Sequence, residues 1–427
     1  MASISFVLQP PLPRHTTAPI DWWLTPVGGG PAVKTGAYDA LIRAGLTGNT
    51  FAGNWPLTHP DLPKPSCWLA ANNSLIFSSL MKGSGYTSNL WEVGLSQATG
   101  RIHGNFKALT VGAGNEVEPS CASGDALAFT NLEIRKDIWA LAMDLKHGVP
   151  KSALQRMTES PADREHASLS QDGKYVAFAS TQSSRYDNIW VRDLSTGKET
   201  DVANSSFVQR YPVISPSGSK VAFSRYEDSK RVVYVSAIGG VPEKLCEECL
   251  RATDWSRDET KLLLFGGNPY QINLLDIASH RQIVLFKHPT ESLLYARFSP
   301  DNRWISLTAR VQPDRAWIVI APLDGAKPVP ESAWIKISEE AAEDWANWSP
   351  DGKTLYFTSA RDGHFCLWGQ RIDAGSHRPV GEPFPVQHLH GRVSYEQGGW
   401  SAGGGRIAMV LVEGTGNIWM MSRTGAH

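Results

Sequence analysis

The feature that most constrains this chain is an internal repeat present in eight copies. A Ser-Pro-Asp-Gly-like turn is followed by an aliphatic residue, a Phe two positions later, and a Trp about a dozen residues on. The clearest turns are Ser170-Gln171-Asp172-Gly173, Ser215-Pro216-Ser217-Gly218, Ser299-Pro300-Asp301-Asn302 and Ser349-Pro350-Asp351-Gly352. Weaker copies begin at Leu69, Cys121, Ser256 and Ser401. Successive spacings are 52, 49, 45, 41, 43, 50 and 52 residues, the length of one four-stranded propeller blade.

Each repeat position has a physical task. The fourth turn residue is Asn72, Gly124, Gly173, Gly218, Glu259, Asn302, Gly352 or Gly404. Gly and Asn tolerate the positive φ of a tight hairpin turn, and Glu259 is the exception. Asp at the third position hydrogen-bonds the backbone just ahead and closes the turn. The next strand carries Leu75/Phe77, Leu127/Phe129, Val176/Phe178, Val221/Phe223, Leu262/Leu264, Ile305/Leu307, Leu355/Phe357 and Ile407/Met409. A period of two puts each pair on one face. A third strand carries Trp91, Trp139, Trp190, Tyr234, Leu274, Ile318, Trp368 and Trp419. Aromatics of this kind bury ~150–250 Å² each and are expected to fill the space between blades. No window holds a helical period, and Gly and Pro interrupt the chain throughout. The pattern predicts an all-β fold, a β-propeller of four-stranded antiparallel blades, eight in number, with seven as the alternative.

The ends extend the pattern. Ile4-Ser5-Phe6, Asp21-Trp22-Trp23 and Ala32-Val33-Lys34-Thr35 read as the second to fourth strands of a further repeat. Asn417-Ile418-Trp419-Met420-Met421 reads as a third strand with no room for a fourth. Residues 1–36 are therefore expected to pair with the last blade and seal the ring, hiding edge strands. Residues 37–427 hold the repeats. Irregular packing of the first 35 residues is the alternative.

These repeats resemble the WD40-like repeats of the TolB-type propeller superfamily over roughly residues 60–425. Gly239-Gly240-Val241-Pro242-Glu243-Lys244 and Gly416-Asn417-Ile418-Trp419-Met420-Met421 look like the C-terminal repeat regions of bacterial transmembrane Ser/Thr kinases and winged-helix regulators. The resemblance implies a sensing or protein-interaction role. The chain carries no His-Arg-Asp loop, Asp-Phe-Gly or helix-turn-helix pattern, so the output domains of those relatives are missing from it.

Lys and Arg number 41 against 42 Asp and Glu, a net charge of −1, which recommends neither nucleic acid nor an anionic membrane as partner. No stretch approaches ~18 apolar residues, so no spanning helix is expected. The N-terminus shows no signal-peptide pattern, and a cytoplasmic location is expected, with the periplasm as the alternative in the family context. A monomer is expected.

Four local motifs bear on chemistry. Gly399-Trp400-Ser401-Ala402-Gly403 matches a nucleophile elbow, but Ser401 stands in register with Ser170, Ser215 and Ser349 and reads as a blade turn. Gly30-Pro31-Ala32-Val33-Lys34-Thr35 lacks the Gly before Lys that a P-loop needs. Cys246-Glu247-Glu248-Cys249 has no second pair to complete a zinc set, and two free thiols are the default reading, with a loop staple as the alternative. His388 and His390 share a strand face, yet no carboxylate or Cys lies close in sequence to complete a metal set. No metal or other cofactor is expected.

One constellation spans the repeats. Five positions before each turn stand Lys64, Glu116, Glu165, Arg210, Arg251, Leu294, Asp344 and Glu396. Seven of these are charged, and equivalent positions form a circle in a propeller. The seven are candidate ligand-binding residues at the channel mouth. With no catalytic set outside the repeat register, the expected function is a non-catalytic binding or sensor module for a protein, peptide or polar ligand. The alternative is a propeller hydrolase or lactonase with a metal in the channel.

Overall fold

A computed structural model describes residues 4–7, 21–26, 28–47, 63–69, 72–81 and 87–422, apart from short gaps at 113, 123–125, 160–161, 185, 228–229, 248, 268, 313–314, 339–341 and 392. The chain divides into two compact units, residues 135–413 and residues 1–134 with 414–427.

The repeated turns explain themselves atom by atom. In the 135–413 unit the fourth-residue N–H donates to the first-residue carbonyl at Gly173, Gly218, Glu259, Asn302 and Gly352, each at 2.9 Å. The Ser hydroxyl accepts the N–H five residues on, from Tyr175, Lys220, Lys261, Trp304 and Thr354. That hydroxyl donates to Asp172, Asp258, Asp301 or Asp351. Glu259 adopts the same left-handed conformation, φ 56°. Its carboxylate accepts the Ser217 N–H of the preceding blade at 2.7 Å, which offsets the backbone strain.

These turns join the first two strands of each four-stranded antiparallel sheet. The first sheet runs Arg164–Leu169, Tyr175–Ser180, Asn188–Asp193 and Glu199–Asp201. Four more repeat that order from inner strands Gln209–Ile214, Arg251–Trp255, Ser292–Phe298 and Glu343–Trp348. The sixth is composite. Its inner strand Val393–Gly403 pairs with residues 406–413, these pair with 135–144, and Val149–Pro150 and Gln155–Arg156 form the outer edge. Each inner strand packs on the next, and Val393–Gly403 packs on Arg164–Leu169, so six sheets form one closed cycle. The unit is an all-β propeller.

This corrects the expected eight blades. The copies beginning at Leu69 and Cys121 lie in the other unit. The second and eighth copies do not turn after their second strand. Ala126–Asp144 and Arg406–Ser422 run on as strands of 19 and 17 residues, each contributing to both units. Among the described residues, Ile4–Val7, Trp23–Pro26 and Val33–Lys34, expected to pair with the last blade, pair with one another in a three-stranded sheet. Closure comes from the 135–144/406–413 ladder.

The repeat's second- and third-strand aromatics meet within each sheet in part of the ring. Phe178, Phe223 and Phe357 are fully buried and face Trp190, Tyr234 and Trp368 across the ladder. Leu274 and Ile318 instead face Leu263 and Thr308, one residue off the equivalent Leu264 and Leu307. Trp419 is 53 % exposed, not wedged between sheets.

In the other unit, strands Pro65–Leu69, Ser74–Met81, Ser88–Leu95 and Ile102–Ala108 form a blade-like meander. Its core joins Trp22, Leu41, Phe77 and Trp91. Trp22 meets Phe77 edge-on at 5.2 Å and donates its indole N–H to the Pro63 carbonyl at 2.7 Å.

Backbone meets backbone where the ring closes. The Leu169 N–H donates to Ser401 Oγ at 2.6 Å, and the Gly404 N–H to the Gln171 carbonyl at 3.0 Å. A Cβ on Gly403 would stand 2.1 Å from the Ser170 carbonyl oxygen. The Gly403→Ala change is therefore expected to cost about 2 kcal/mol or more, through forced separation of two backbones. Urea denaturation checks this; an unchanged midpoint would mean that these two turns are not in contact.

Candidate functional site

Every inner strand of the ring carries a register shift. The shifts fall between Glu165 and Ser168, Arg210 and Val213, Ala252 and Asp254, Leu294 and Arg297, Asp344 and Asn347, and Tyr395 and Trp400. Four of these bulges hold a bulky residue in the left-handed region: His166 (φ 60°), Tyr211 (57°), Tyr295 (54°) and Trp345 (61°). For such residues that conformation costs ~1–2 kcal/mol each. Strain of this kind gathers where side chains are re-aimed for function.

The bulges re-aim their side chains at the ring axis. One pocket is lined by residues of all six inner strands, among them His166, Tyr211, Arg251, Tyr295, Trp345 and Trp400. Tyr295 and Trp345 stack at 3.8 Å, and His166 tilts against Tyr211 at 4.3 Å. Between them lies the Arg251 guanidinium, 4.4 Å from the Tyr211 ring centre, 4.9 Å from Tyr295 and 5.0 Å from Trp345. Phe265 stands 4.8 Å away.

A shell of ion pairs surrounds this cage. Arg210 Nε donates to Asp187 at 2.7 Å, and its Nη1 lies 4.0 Å from Glu165. Lys136 reaches Glu165 at 3.1 Å. Arg310 pairs with Asp344, Arg361 with Glu343, and Arg297 with Asp254. Arg251 differs from the other arginines around the axis. It is only 5 % exposed, its Nε has no hydrogen-bond partner, and no carboxylate among the described residues pairs with it.

The environment shifts the carboxyls in opposite directions. Burial pushes Asp344 up to about 6, against the pull of Arg310 and Arg251. Burial also works to raise Glu165, but Arg210, His166 and Lys136 outweigh it and hold its carboxyl at about 2.

Of the seven candidate residues, Glu165, Arg210, Arg251 and Asp344 stand on consecutive or near-consecutive inner strands of this ring. Lys64, exposed, and Glu116, buried, belong to the other unit. Glu396 lies in the strand Val393–Gly403, with its side chain outside the described residues. The four that gather do not form a solvated rim: Arg251 and Asp344 are buried, and Glu165, Arg210 and Asp344 are engaged in ion pairs. The aromatic cage was missed. Its signal was the residue directly after the aligned position, His166, Tyr211 and Trp345 after a charged residue and Tyr295 after Leu294, but no Gly or Asn there announces a left-handed bulge.

The cysteines also depart from expectation. Cys246 and Cys249 are bonded to each other, and Cys67 is bonded to Cys121. Cys366 is free and buried. Ser401 is no nucleophile elbow, but neither is it the turn residue expected: it lies inside Val393–Gly403 opposite Ala408, the chain reverses at Gly404-Gly405, and its hydroxyl accepts the Leu169 N–H as Ser168 accepts that of Ile214.

No family model matches the chain, and no curated protein matches it. Among solved structures it is similar to a TolB protein from Agrobacterium tumefaciens, with 20% identity over 66% of this chain and 99% of that one, at a TM-score of 0.52. TolB from Acinetobacter baumannii matches with 12% identity over 70% of this chain and 77% of that one, at a TM-score of 0.45. The first likeness shows the fold, a β-propeller.

Glu165 supplies a test of the ion-pair shell. Because its carboxyl is held below the ordinary 4.5, its contribution is fully present above about pH 4.5 and is lost as pH falls through about 2. Glu165→Gln is expected to lower stability at neutral pH by ~1–3 kcal/mol, with the gap to wild type narrowing between pH 4.5 and 2. Denaturant midpoints across that range measure it, and equal stability at pH 7 would contradict it.

Proposed function

We propose that this TolB-type propeller is a binding module, not an enzyme, and that it takes an anionic group of a protein or peptide partner at the ring axis. The observation that carries this reading is Arg251, a buried guanidinium without a carboxylate among the described residues. Aromatic faces each stabilise such a cation by ~0.5–2 kcal/mol, but they leave its buried Nε–H unfilled, and an unfilled buried donor costs ~1–3 kcal/mol. A carboxylate would fill them with charge-assisted bonds. Arg among Tyr and Trp is also the composition that dominates binding energy at protein interfaces.

The remaining polar groups support binding over catalysis. Burial raises the carboxyls of Asp344, Asp254 and Asp187, yet each is engaged by an arginine and none lines the pocket. Ser168, which does line it, accepts the Ile214 N–H at 3.1 Å. Ser401 accepts the Leu169 N–H.

The two disulfides support an oxidising compartment for the protein, which favours the periplasmic alternative over the cytoplasmic expectation. No helix among the described residues is long and apolar enough to cross a membrane. Denatured, unreduced protein is expected to titrate one thiol, that of Cys366, and reduced protein all five. Five thiols before reduction, in protein isolated from its native compartment, would contradict this.

The binding reading is tested with a peptide library read by Trp345 and Trp400 fluorescence. Acidic peptides are expected to bind at least about tenfold more tightly than their amide counterparts, a difference of ~1.4 kcal/mol, and Arg251→Gln is expected to abolish that preference. Equal binding of acids and amides, or an unaltered preference in Arg251→Gln, would overturn it.

A further inference from the structure

The His388 and His390 pair lacked partners in sequence, but the fold supplies them. Both residues follow the outer strand Pro379–Gln387 of the fifth sheet. Leu367 faces Gln387 across the ladder, which sets Cys366, the first residue of the third strand, beside His388. Asp362 lies in the loop that leads into that strand, after Thr354–Ser359. Register alone thus gathers four residues spread over 29 positions of sequence, from 362 to 390.

One donor atom from each of Asp362, Cys366, His388 and His390 lies within 4.8 Å of every other. Asp362 Oδ2 stands 3.0 Å from His388 Nδ1. The Leu389 N–H, between the two histidines, donates to Cys366 Sγ at 3.4 Å. His364 stacks on His390 at 4.6 Å and restrains its ring. Cys366 is buried, whereas the other three are exposed, so the sulfur forms the floor and solvent reaches the rest.

An Asp–His ion pair accounts for two of the four residues. It does not account for a second imidazole and a thiol converging on the same point, or for the N–H aimed at the sulfur. We propose that Asp362, Cys366, His388 and His390 form a zinc-binding site. A set of one sulfur, two nitrogens and one oxygen suits borderline Zn²⁺ in a tetrahedron, whereas Ca²⁺ and Mg²⁺ require oxygen ligands throughout. Metal–ligand bonds of ~2.0–2.3 Å place tetrahedral donors ~3.5 Å apart. The present spread therefore closes by about an ångström, a movement well within the reach of exposed loop side chains.

Binding releases the Cys366 thiol proton to solvent and changes no oxidation state. The N–H of Leu389 stabilises the thiolate that results. Four protein ligands fill the tetrahedron, so the site is structural. It staples the loop between the second and third strands to the segment that leads into Val393–Gly403, the inner strand of the composite sheet.

The test uses the full chain, stripped with a chelator and titrated separately with Zn²⁺ and Co²⁺. The expected result is one equivalent bound, tetrahedral d–d bands with Co²⁺, and a sulfur-to-cobalt charge-transfer band. Cys366→Ser, nearly isosteric, is expected to remove the charge-transfer band and weaken Zn²⁺ by more than about a hundredfold. His390→Ala changes an exposed side chain, leaves the fold intact, and is expected to weaken Zn²⁺ at least about tenfold. Replacing both Cys246 and Cys249 with Ser should change none of this. Absence of stoichiometric binding, an octahedral cobalt spectrum without charge transfer, or unchanged affinity in either ligand variant would overturn the proposal. So would loss of binding in the Cys246/Cys249 variant.

Discussion

The ring depends on one ladder, between residues 406–413 and 135–144. Five of its sheets are each made from consecutive chain and need no distant partner. The sixth exists only because two strands from one end of the unit pair with strands from the other. Without that pairing, the sheet that begins at Arg164 and the one that ends at Gln387 would each turn an unprotected face to water. Closing the cycle hides those faces and brings Gly403 and Gly404 against the backbone of Ser170 and Asp172, an approach open only to residues without a side chain.

Closure also defines the axis, and the axis defines the site. A bulge in a free sheet would aim its side chain at nothing in particular. In a closed ring, equivalent bulges converge. His166, Tyr211, Tyr295 and Trp345 come from four different sheets, yet all line one pocket. Their strained backbones persist because neighbouring sheets over-determine them. The converging charges are neutralised pairwise, Arg210 by Asp187, Arg297 by Asp254 and Arg310 by Asp344. Among the described residues, Arg251 is left without a carboxylate in the aromatic centre, and that imbalance is the chemical content of the binding reading.

Local features were legible in the sequence because local physics sets them. The Ser-x-Asp-Gly turns and the alternation of Val176 with Phe178 follow from short-range hydrogen bonding and a period of two, whereas Ser401, aligned with those turns, sits inside a strand and bonds Leu169 across the ring closure. Blade number was not legible, because it depends on whether a strand stops. Nothing at Asn131–Lys136 forces a turn, and Gly414-Thr415-Gly416, which reads as one, runs on extended beside its neighbour. Long-range pairings escaped for the same reason. Cys67 meets Cys121 across 54 residues, and Cys366 meets His388 only through the register of one sheet. Charged positions were found by repeat alignment, but their burial and mutual pairing are properties of the closed ring.

Hydrogen exchange of the native protein tests the closing ladder most directly. If residues 135–144 and 406–413 are central strands of a closed sheet, their amides, including that of Met143, which donates to the Gly405 carbonyl at 2.8 Å, will exchange as slowly as those of Tyr175–Ser180. They will do so only through global opening. Fast exchange of either segment, while Tyr175–Ser180 stays protected, would show an open ring and contradict the account.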